Sequence, residues 1–462
     1  MPTMKKTNIG TPANARLSRR PIIIALALVL GVTVVVLGRQ AHTAWTIGVA
    51  YRYALPLYEV MRVRYATVFD TGNPHRVAIN SFAHKRRLAE AGDRLVTMPN
   101  NDTLYSLAVL DLSSGPVRFE VPDTADRYYS AALMDAYTNN FSIIGRRTTG
   151  THAATFLIAG PGWQGNTPDD GPQLIHSPTN TALLLVRILV DGADDVAAVT
   201  ALQDGFRLTA PRPDAANALV AIAPKAGNGA NFVEVVDRAL AENQPPGDDA
   251  PMLARIAKVG IVPDAKTPDR STLADWNEDF GLAQKLLARA VARPRHLIQG
   301  WNYLPADIGN FGTDYDVRAA VALLGLMALP PEEAMYANGL KDAKGKALNG
   351  THRYRLHLPP GGMPADAFWS LSLYSAEADG RGYFVDNAIH RYAIGDRTPG
   401  LKKNADGSLD ILIQQQAPEE AQQANWLPAP AGPFRLAMRA YQPRRELLDG
   451  HFRYPGIERL DP

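Results

Sequence analysis

The sequence predicts an α+β protein that is mainly β: two antiparallel β-sandwiches joined by a helical segment and preceded by one transmembrane helix. Three observations predict it. Residues 21–38, PIIIALALVLGVTVVVLG, form an uncharged apolar run. Two stretches, from about residue 94 to 190 and from about 347 to 445, are short alternating runs separated by turn residues. Between them, apolar residues recur at helical spacing.

Residues 1–20 are a basic flank, in which Lys5, Lys6, Arg16, Arg19 and Arg20 occur without a single acid. A helix over 21–38 rises roughly 27 Å at about 1.5 Å per residue, close to the hydrocarbon thickness of a bilayer. The positive flank then stays cytoplasmic, so the expected location is the inner membrane, single-pass, with the C-terminal body in the periplasm. A cleaved signal peptide is the alternative. It needs small residues one and three positions before the cut, and cuts after Ala41 or Ala44 meet Arg39 or His42 there. Residues 39–64 read as a juxtamembrane helix. Its Trp45, Tyr51, Tyr53 and Tyr58 sit either at headgroup level or packed on the first domain.

The first sandwich is expected over 65–190. Its strands read as LYSLAVLDL (104–112), VRFEVP (117–122), YYSAALMDAY (128–137), TFLIAGPGW (155–163) and ALLLVRILV (182–190). Ser114-Gly115-Pro116, Pro122-Asp123, Gly160-Pro161-Gly162 and Ser177-Pro178 punctuate them. Residues 191–345 read as helical. Val196, Val199, Leu202 and Phe206 follow the start signal Asp194-Asp195, and further helices are expected over 231–242, 251–259, 272–293 and 315–329. The second sandwich is expected over 346–462, with strands at 351–358, 368–375, 411–416 and 434–441. Asp406-Gly407 is the strongest hairpin signal in the chain.

Composition narrows the function classes. The 462 residues are 46% hydrophobic and 20% charged, which is ordinary globular usage. A net charge of +2, with no block of like charge beyond the N-terminal flank, argues against nucleic acid as a partner. Zero cysteines exclude disulfides, thiolate-bound zinc, iron–sulfur clusters and a thiol nucleophile, and suit an oxidising compartment. No G-x-S-x-G elbow and no H-E-x-x-H occurs, and the ten histidines are scattered. Gly339 to Lys346 imitates a phosphate loop, but with one residue too many between its glycines and Ala347 where a hydroxyl is needed. Residues 404–410 imitate a calcium loop without the closing glutamate. No metal and no cofactor is therefore expected.

Two polar clusters exceed what a sandwich scaffold needs. Asn100, Asn101 and Asp102, just ahead of Tyr105, either fold back as an Asx turn that launches a strand or line a polar pocket. Asp135, Tyr137, Asn139 and Asn140, with Arg146 and Arg147 close behind, bring an acid, a phenol, amides and guanidinium groups together. They either tie strands through a buried Asp–Arg pair or share one site with the first cluster, Asp135 acting as base and Arg147 as anion clamp. Asp102 or Asp135 with Tyr105 or Tyr137 would make a base–acid pair. Further on, Trp369, Tyr383, Asp386, Asn387, Arg391 and Tyr392, followed by Trp426, form an aromatic–polar group. It suits a sugar or other amphipathic ligand, a core, or a subunit contact.

The same residues carry a family likeness. Residues 98–209 resemble the bacterial domain of unknown function 1254, in MPNNDTLYSLAVLDLSSGPV, VPDTADRYYSAALMDAYTNNF, RTTGT, GPGW, SPTN and LVDGADDVAAVTALQ. Residues 347–445 are similar to its usual companion, domain 1214, in FWSLSLY, RYAIGDRTPGLKKNADGSLDILIQ and ANWLPAPAGPFRLAMRAY. The chain departs from the commoner pattern over Asn80 to Leu95, which is rich in Lys and Arg. The resemblance implies an immunoglobulin-like and a jelly-roll-like sandwich around a helical segment, membrane attachment or export, and a homo-trimer. It implies no catalytic residues.

The expectation is a periplasmic protein held in membrane lipid through residues 21–38. It binds a small polar or saccharide-like ligand, with Asn100, Asn101, Asn139, Asn140, Arg147, Trp369, Asn387, Arg391 and Trp426 as ligand-binding candidates. Two alternatives stay open: a cofactor-free hydrolase or lyase using an Asp/Tyr pair, and a structural envelope protein with an aromatic subunit interface.

Overall fold

A computed structural model describes residues 19–94, 97–167, 171–211, 221–263, 268–377 and 381–461, with the side chains of the first helix described from Leu30 onward. The chain is mixed helix and sheet, as its patterning predicts. Helix α1 (Arg19–Arg64) runs unbroken through both the expected anchor and the expected juxtamembrane helix. Its residues 30–42 are all exposed, whereas Ile47, Tyr51, Tyr53, Ala54, Leu57 and Val60 are buried. Tyr51 and Tyr53 therefore pack in the body rather than at a headgroup level. Among the described residues no helix is long and apolar enough to cross a membrane. Residues 21–29 of the expected span lie outside the described side chains.

The first half contains β1 (Phe82–Lys85), β2 (Thr103–Asp111), β3 (Val117–Val121), β4 (Tyr129–Asp135), β5 (Asn140–Gly145), β6 (Ala154–Ala159), β7 (Gln173–His176), β8 (Thr181–Leu189) and β9 (Arg207–Thr209). They form a five-stranded sheet, β1-β2-β8-β4-β5, and a four-stranded sheet, β7-β6-β3-β9. Alternation explains why the two face each other. Leu104, Ala108 and Leu110 of β2 and Leu184, Val186 and Ile188 of β8 share one core with Val117 and Phe119 of β3 and Phe156 and Ile158 of β6.

The helices that follow are α2 (Val196–Gly205), α3 (Gly229–Glu242), α4 (Ala250–Ile256), α5 (Arg270–Val291) and α6 (Tyr315–Gly325). Asn228, Asp269 and Asp314 cap α3, α5 and α6 with their side chains. The buried stretch of α1 is surrounded by Phe232, Val236, Trp276 and Phe280 from α3 and α5.

The second half contains β10 (Leu297–Ile298), β11 (Trp301–Tyr303), β12 (Ala334–Gly339), β13 (Tyr354–Leu358), β14 (Ala365–Ser375), β15 (Ala393–Gly395), β16 (Leu409–Gln414), β17 (Trp426–Pro428), β18 (Phe434–Pro443) and β19 (Ile457–Arg459), with short helix α7 (Arg445–Leu448). A six-stranded sheet, β10-β11-β12-β18-β14-β15, faces a four-stranded one, β17-β16-β13-β19. Leu371, Leu373, Leu436 and Met438 meet Leu356, Leu358, Ile411 and Ile413 in its core.

Three local readings differ from the structure. The segment expected to be helical, 191–345, also supplies β9 to the first pair of sheets and β10–β12 to the second. These strands are short or rich in small residues, so pairing partners rather than local propensity decide them. Not every pair is antiparallel: β6–β7 and β16–β17 are parallel. Asp406-Gly407 makes a tight turn, with Gly407 at φ 86° and Asp406 accepting from Ser408, but no strand precedes it, so it is not a hairpin. Gly339 to Lys346 is a turn organised by Asp342, which accepts from the Lys344 and Lys346 amides.

One feature of the packing positions the site. Strand β8 is buried at every position but its last. A continuous apolar run requires cover on both faces, and β8 has it. Toward one end Leu183 and Leu185 pack on the helical cluster around α1. Toward the other, Tyr128 and Ala132 beside β8 pack on Phe368 and Tyr441 of the six-stranded sheet. The outer face of the five-stranded sheet thus meets the outer face of the six-stranded sheet along a seam.

Candidate functional site

Strand period places polar side chains in that seam. In β14, Trp369, Leu371 and Leu373 point to the sandwich core, so Phe368, Ser370, Ser372 and Tyr374 point out. In β18, Leu436, Met438 and Ala440 point in, and Arg439 and Tyr441 point out. Register sets Tyr336, Arg439 and Ser370 in one row across this sheet. On the facing sheet, Tyr105, Arg187 and Ser130 make a second row.

The loop before β2 docks into the second sandwich. Asp102 is buried and accepts from the Ser370 hydroxyl at 2.6 Å and from Arg397 Nη2 at 3.1 Å. Asn100 accepts from the Asp102 amide, forming the expected Asx turn, and donates to the Tyr441 hydroxyl. Tyr374 donates to the Pro99 carbonyl at 2.6 Å. Arg439 donates to Ser372 Oγ at 2.9 Å and to the Met98 carbonyl at 3.0 Å.

Arg187 is held differently. It is 7% exposed, its Nη2 donates to the Met327 carbonyl at 2.7 Å, and its guanidinium stands 5.6 Å over the Tyr105 ring. Nη1 is buried without a hydrogen-bond partner, and among the described residues no carboxylate pairs with this side chain. Thr103 Oγ1, on the same face of the adjoining strand, is also buried and unpartnered, as is Asn101 Oδ1. Burial raises the Tyr336, Tyr128 and Tyr441 phenols above their usual range, the last two well above it. They are neutral near pH 7 and supply no negative charge to Arg187. Tyr105 and Tyr336 nevertheless keep some accessible surface.

The second polar cluster lies elsewhere. Asp102 sits beside Val190 and Asp135 beside Ala182, at opposite ends of β8, roughly 27 Å apart at about 3.4 Å per residue. The two clusters do not share a site. Asp135 accepts from the Tyr137 and Asn139 amides, each at 2.9 Å, and from Asn139 Nδ2 at 3.1 Å. Burial raises its pKa. Tyr137 donates to the Asn243 carbonyl, Asn139 accepts from the Phe311 amide, and Asn140 donates to the Ala328 carbonyl. Arg147 pairs at 2.7 Å with the buried Glu333, which also accepts from Tyr128.

The aromatic side chains of the C-terminal group are internal, whereas Asp386 is exposed. Trp369 and Trp426 are buried, and Trp426 Nε1 donates to the Gln414 carbonyl. Asn387 bonds the Val385 and Arg391 backbones, and Arg391 donates to the carbonyls of Gln423, Ala424 and Trp426. Neither tryptophan offers a surface to another subunit.

Sequence reasoning passed over Thr103, Arg187, Tyr336, Arg439 and Tyr441. One signal was available: Arg187 is the lone charge inside ALLLVRILV, a strand that reads as covered on both faces.

Comparison with known proteins follows the same division. The family described as "Protein of unknown function (DUF1254)" matches residues 79–210, and "Protein of unknown function (DUF1214)" matches residues 333–445. No curated protein matches the chain. The crystal structure of the VPA0106 protein from Vibrio parahaemolyticus aligns at TM-score 0.68 and 23% identity, covering 91% of this chain and 100% of that one. That likeness shows the fold. An uncharacterized protein from Burkholderia cenocepacia aligns at TM-score 0.45 and 12% identity, covering 91% of this chain and 94% of that one. With the two domains found in that order on either side of the helices, the chain belongs to the family that joins DUF1254 to DUF1214.

Proposed function

We propose that the chain is a membrane-anchored periplasmic protein that binds a small polar ligand in the seam between its two halves. The observation that carries the binding reading is the trio of buried, unpartnered polar atoms, Arg187 Nη1, Thr103 Oγ1 and Ser130 Oγ, on one face of the five-stranded sheet. Each unsatisfied buried group costs about 1–3 kcal/mol, more for a charged one, and a ligand that bonds them offsets that cost. A thermal-shift screen of small polar molecules, saccharides included, tests it. A hit that stabilises the parent and not Thr103→Val supports the seam; hits with equal shifts in both reject it.

The anchor reading is supported by Leu30, Val32, Val34 and Leu37, which are 66%, 62%, 62% and 58% exposed. Such a contiguous apolar surface is removed from water by lipid, at about 25 cal/mol per Å². A C-terminal fusion to a fluorescent protein that matures only in the cytosol should stay dark; fluorescence overturns the orientation. The pairing of a five- with a four-stranded sheet, then a six- with a four-stranded one, supports reading the halves as immunoglobulin-like and jelly-roll-like sandwiches. A base–acid mechanism at Asp135 and Tyr137 draws no support from their contacts, since both side chains are engaged within the fold.

A further inference from the structure

We infer that the seam takes a carboxylate, carried on a small molecule with an apolar or aromatic body; this rests on the binding reading above and names its ligand class. Charge balance around the seam carries it. Asp102 is engaged by Arg397 and Ser370, and Glu333 by Arg147 and Tyr128. Arg439 lies against Ser372, the Met98 carbonyl and the Tyr374 ring. Arg187 meets one carbonyl and a group of phenols, and among the described residues nothing anionic pairs with it. An arginine cannot shed its proton to escape burial. An ion left uncompensated in a dry setting is far more costly than an unpaired neutral donor.

A neutral sugar would satisfy the free Nη1 donor and leave the charge uncompensated. A carboxylate does both, because its two oxygens accept charge-assisted hydrogen bonds. The free donors are one end of the Arg187 guanidinium, the Thr103 hydroxyl diagonal to it on β2, and the Ser130 hydroxyl opposite it on β4. A phosphate brings a second negative charge that the single Arg187 cation does not balance. The rest of the lining sets the body of the ligand. Leu107 and Leu185 pair across β2 and β8 one step further along the same face and pack with Met327 on the helical cluster, while the Tyr105 and Tyr336 rings stand near Arg187. Apolar and aromatic walls with few oriented polar groups suit a hydrocarbon or aryl acid.

The test is calorimetric titration of the full chain with benzoate, phenylacetate and hexanoate, each against its neutral amide, and with inorganic phosphate and glucose. At least one carboxylate should bind, its amide at least tenfold more weakly, with affinity flat from pH 6 to 9. Arg187→Met should abolish that binding and Arg187→Lys should retain part of it. If Arg187→Met does not fold, Thr103→Val should weaken binding several-fold. Equal binding of acid and amide, both weakened by Thr103→Val, overturns the carboxylate and leaves the seam site standing. Preference for phosphate or glucose does the same. No binding by any carboxylate, with Arg187→Met more stable than the parent, overturns both readings.

Discussion

Asp102 and Arg187 are buried charges on one sheet with opposite settings. Asp102 has a guanidinium and a hydroxyl from the other half, so its charge is answered within the chain. Removing that charge leaves Arg397, about one-fifth exposed, with only the longer 3.6 Å ion pair to Asp396. Asp102→Asn should lower unfolding stability by about 2–3 kcal/mol, below the cost of breaking a fully buried pair, as read by urea denaturation. His84 sets a pH dependence of stability. Its Nδ1 lies 2.8 Å from Ser106 Oγ, and burial, with Arg86 nearby, lowers its pKa below the usual 6.5. Below about pH 6.5 the unfolded chain therefore binds the proton that the folded chain refuses. This contribution is present above that pH and lost on acidification. The Tm of the parent should fall more between pH 7.5 and 5 than that of His84→Gln; parallel curves would refute it.

At the level of elements, α1 is divided by burial. Residues 30–42 are exposed, and from Thr46 on the helix carries the centre of the helical cluster. A chain starting at Thr43 should keep the Tm of the body within a few degrees. One starting at Tyr65 loses Ile47, Tyr51, Tyr53, Leu57 and Val60 together and should not fold, since each such side chain contributes about 2–5 kcal/mol. Thermal melts by circular dichroism distinguish the two. The long strands were legible because their pattern is local: β2, β3, β4, β8, β14 and β18 lie where alternating or continuous apolar runs place them. Strands β9 and β12 were not. Ala334–Gly339 has little strand propensity of its own and extends because β18 pairs along it.

Across the whole molecule, the seam joins the halves by contacts that bridge 186 to 341 residues of chain. Tyr374 holds Pro99, Asn100 donates to Tyr441, and Arg147 and Tyr128 meet at Glu333. Calorimetry should show one unfolding transition. Tyr441→Ala removes a ring stacked 4.0 Å from Phe368 and should cost about 3–5 kcal/mol while separating the transition into two. A single unsplit transition at lower temperature would show that the halves are coupled elsewhere.

The sequence by itself determined the family, the mixed class, the long strands, the main helical stretches and the apolar stretch near the start. Each is written in near neighbours: a period of two or 3.6, or a run without charge. Only the tertiary structure decided that Asp102 and Asp135 stand at opposite ends of one sheet, and that Trp369 and Trp426 are interior. It alone left Arg187 without an acid. Hydrogen bonds and buried ion pairs act over a few ångströms, so whether a charge is answered depends on which distant segment arrives beside it. Ser370 and Arg397 arrive beside Asp102, and no carboxylate among the described residues arrives beside Arg187.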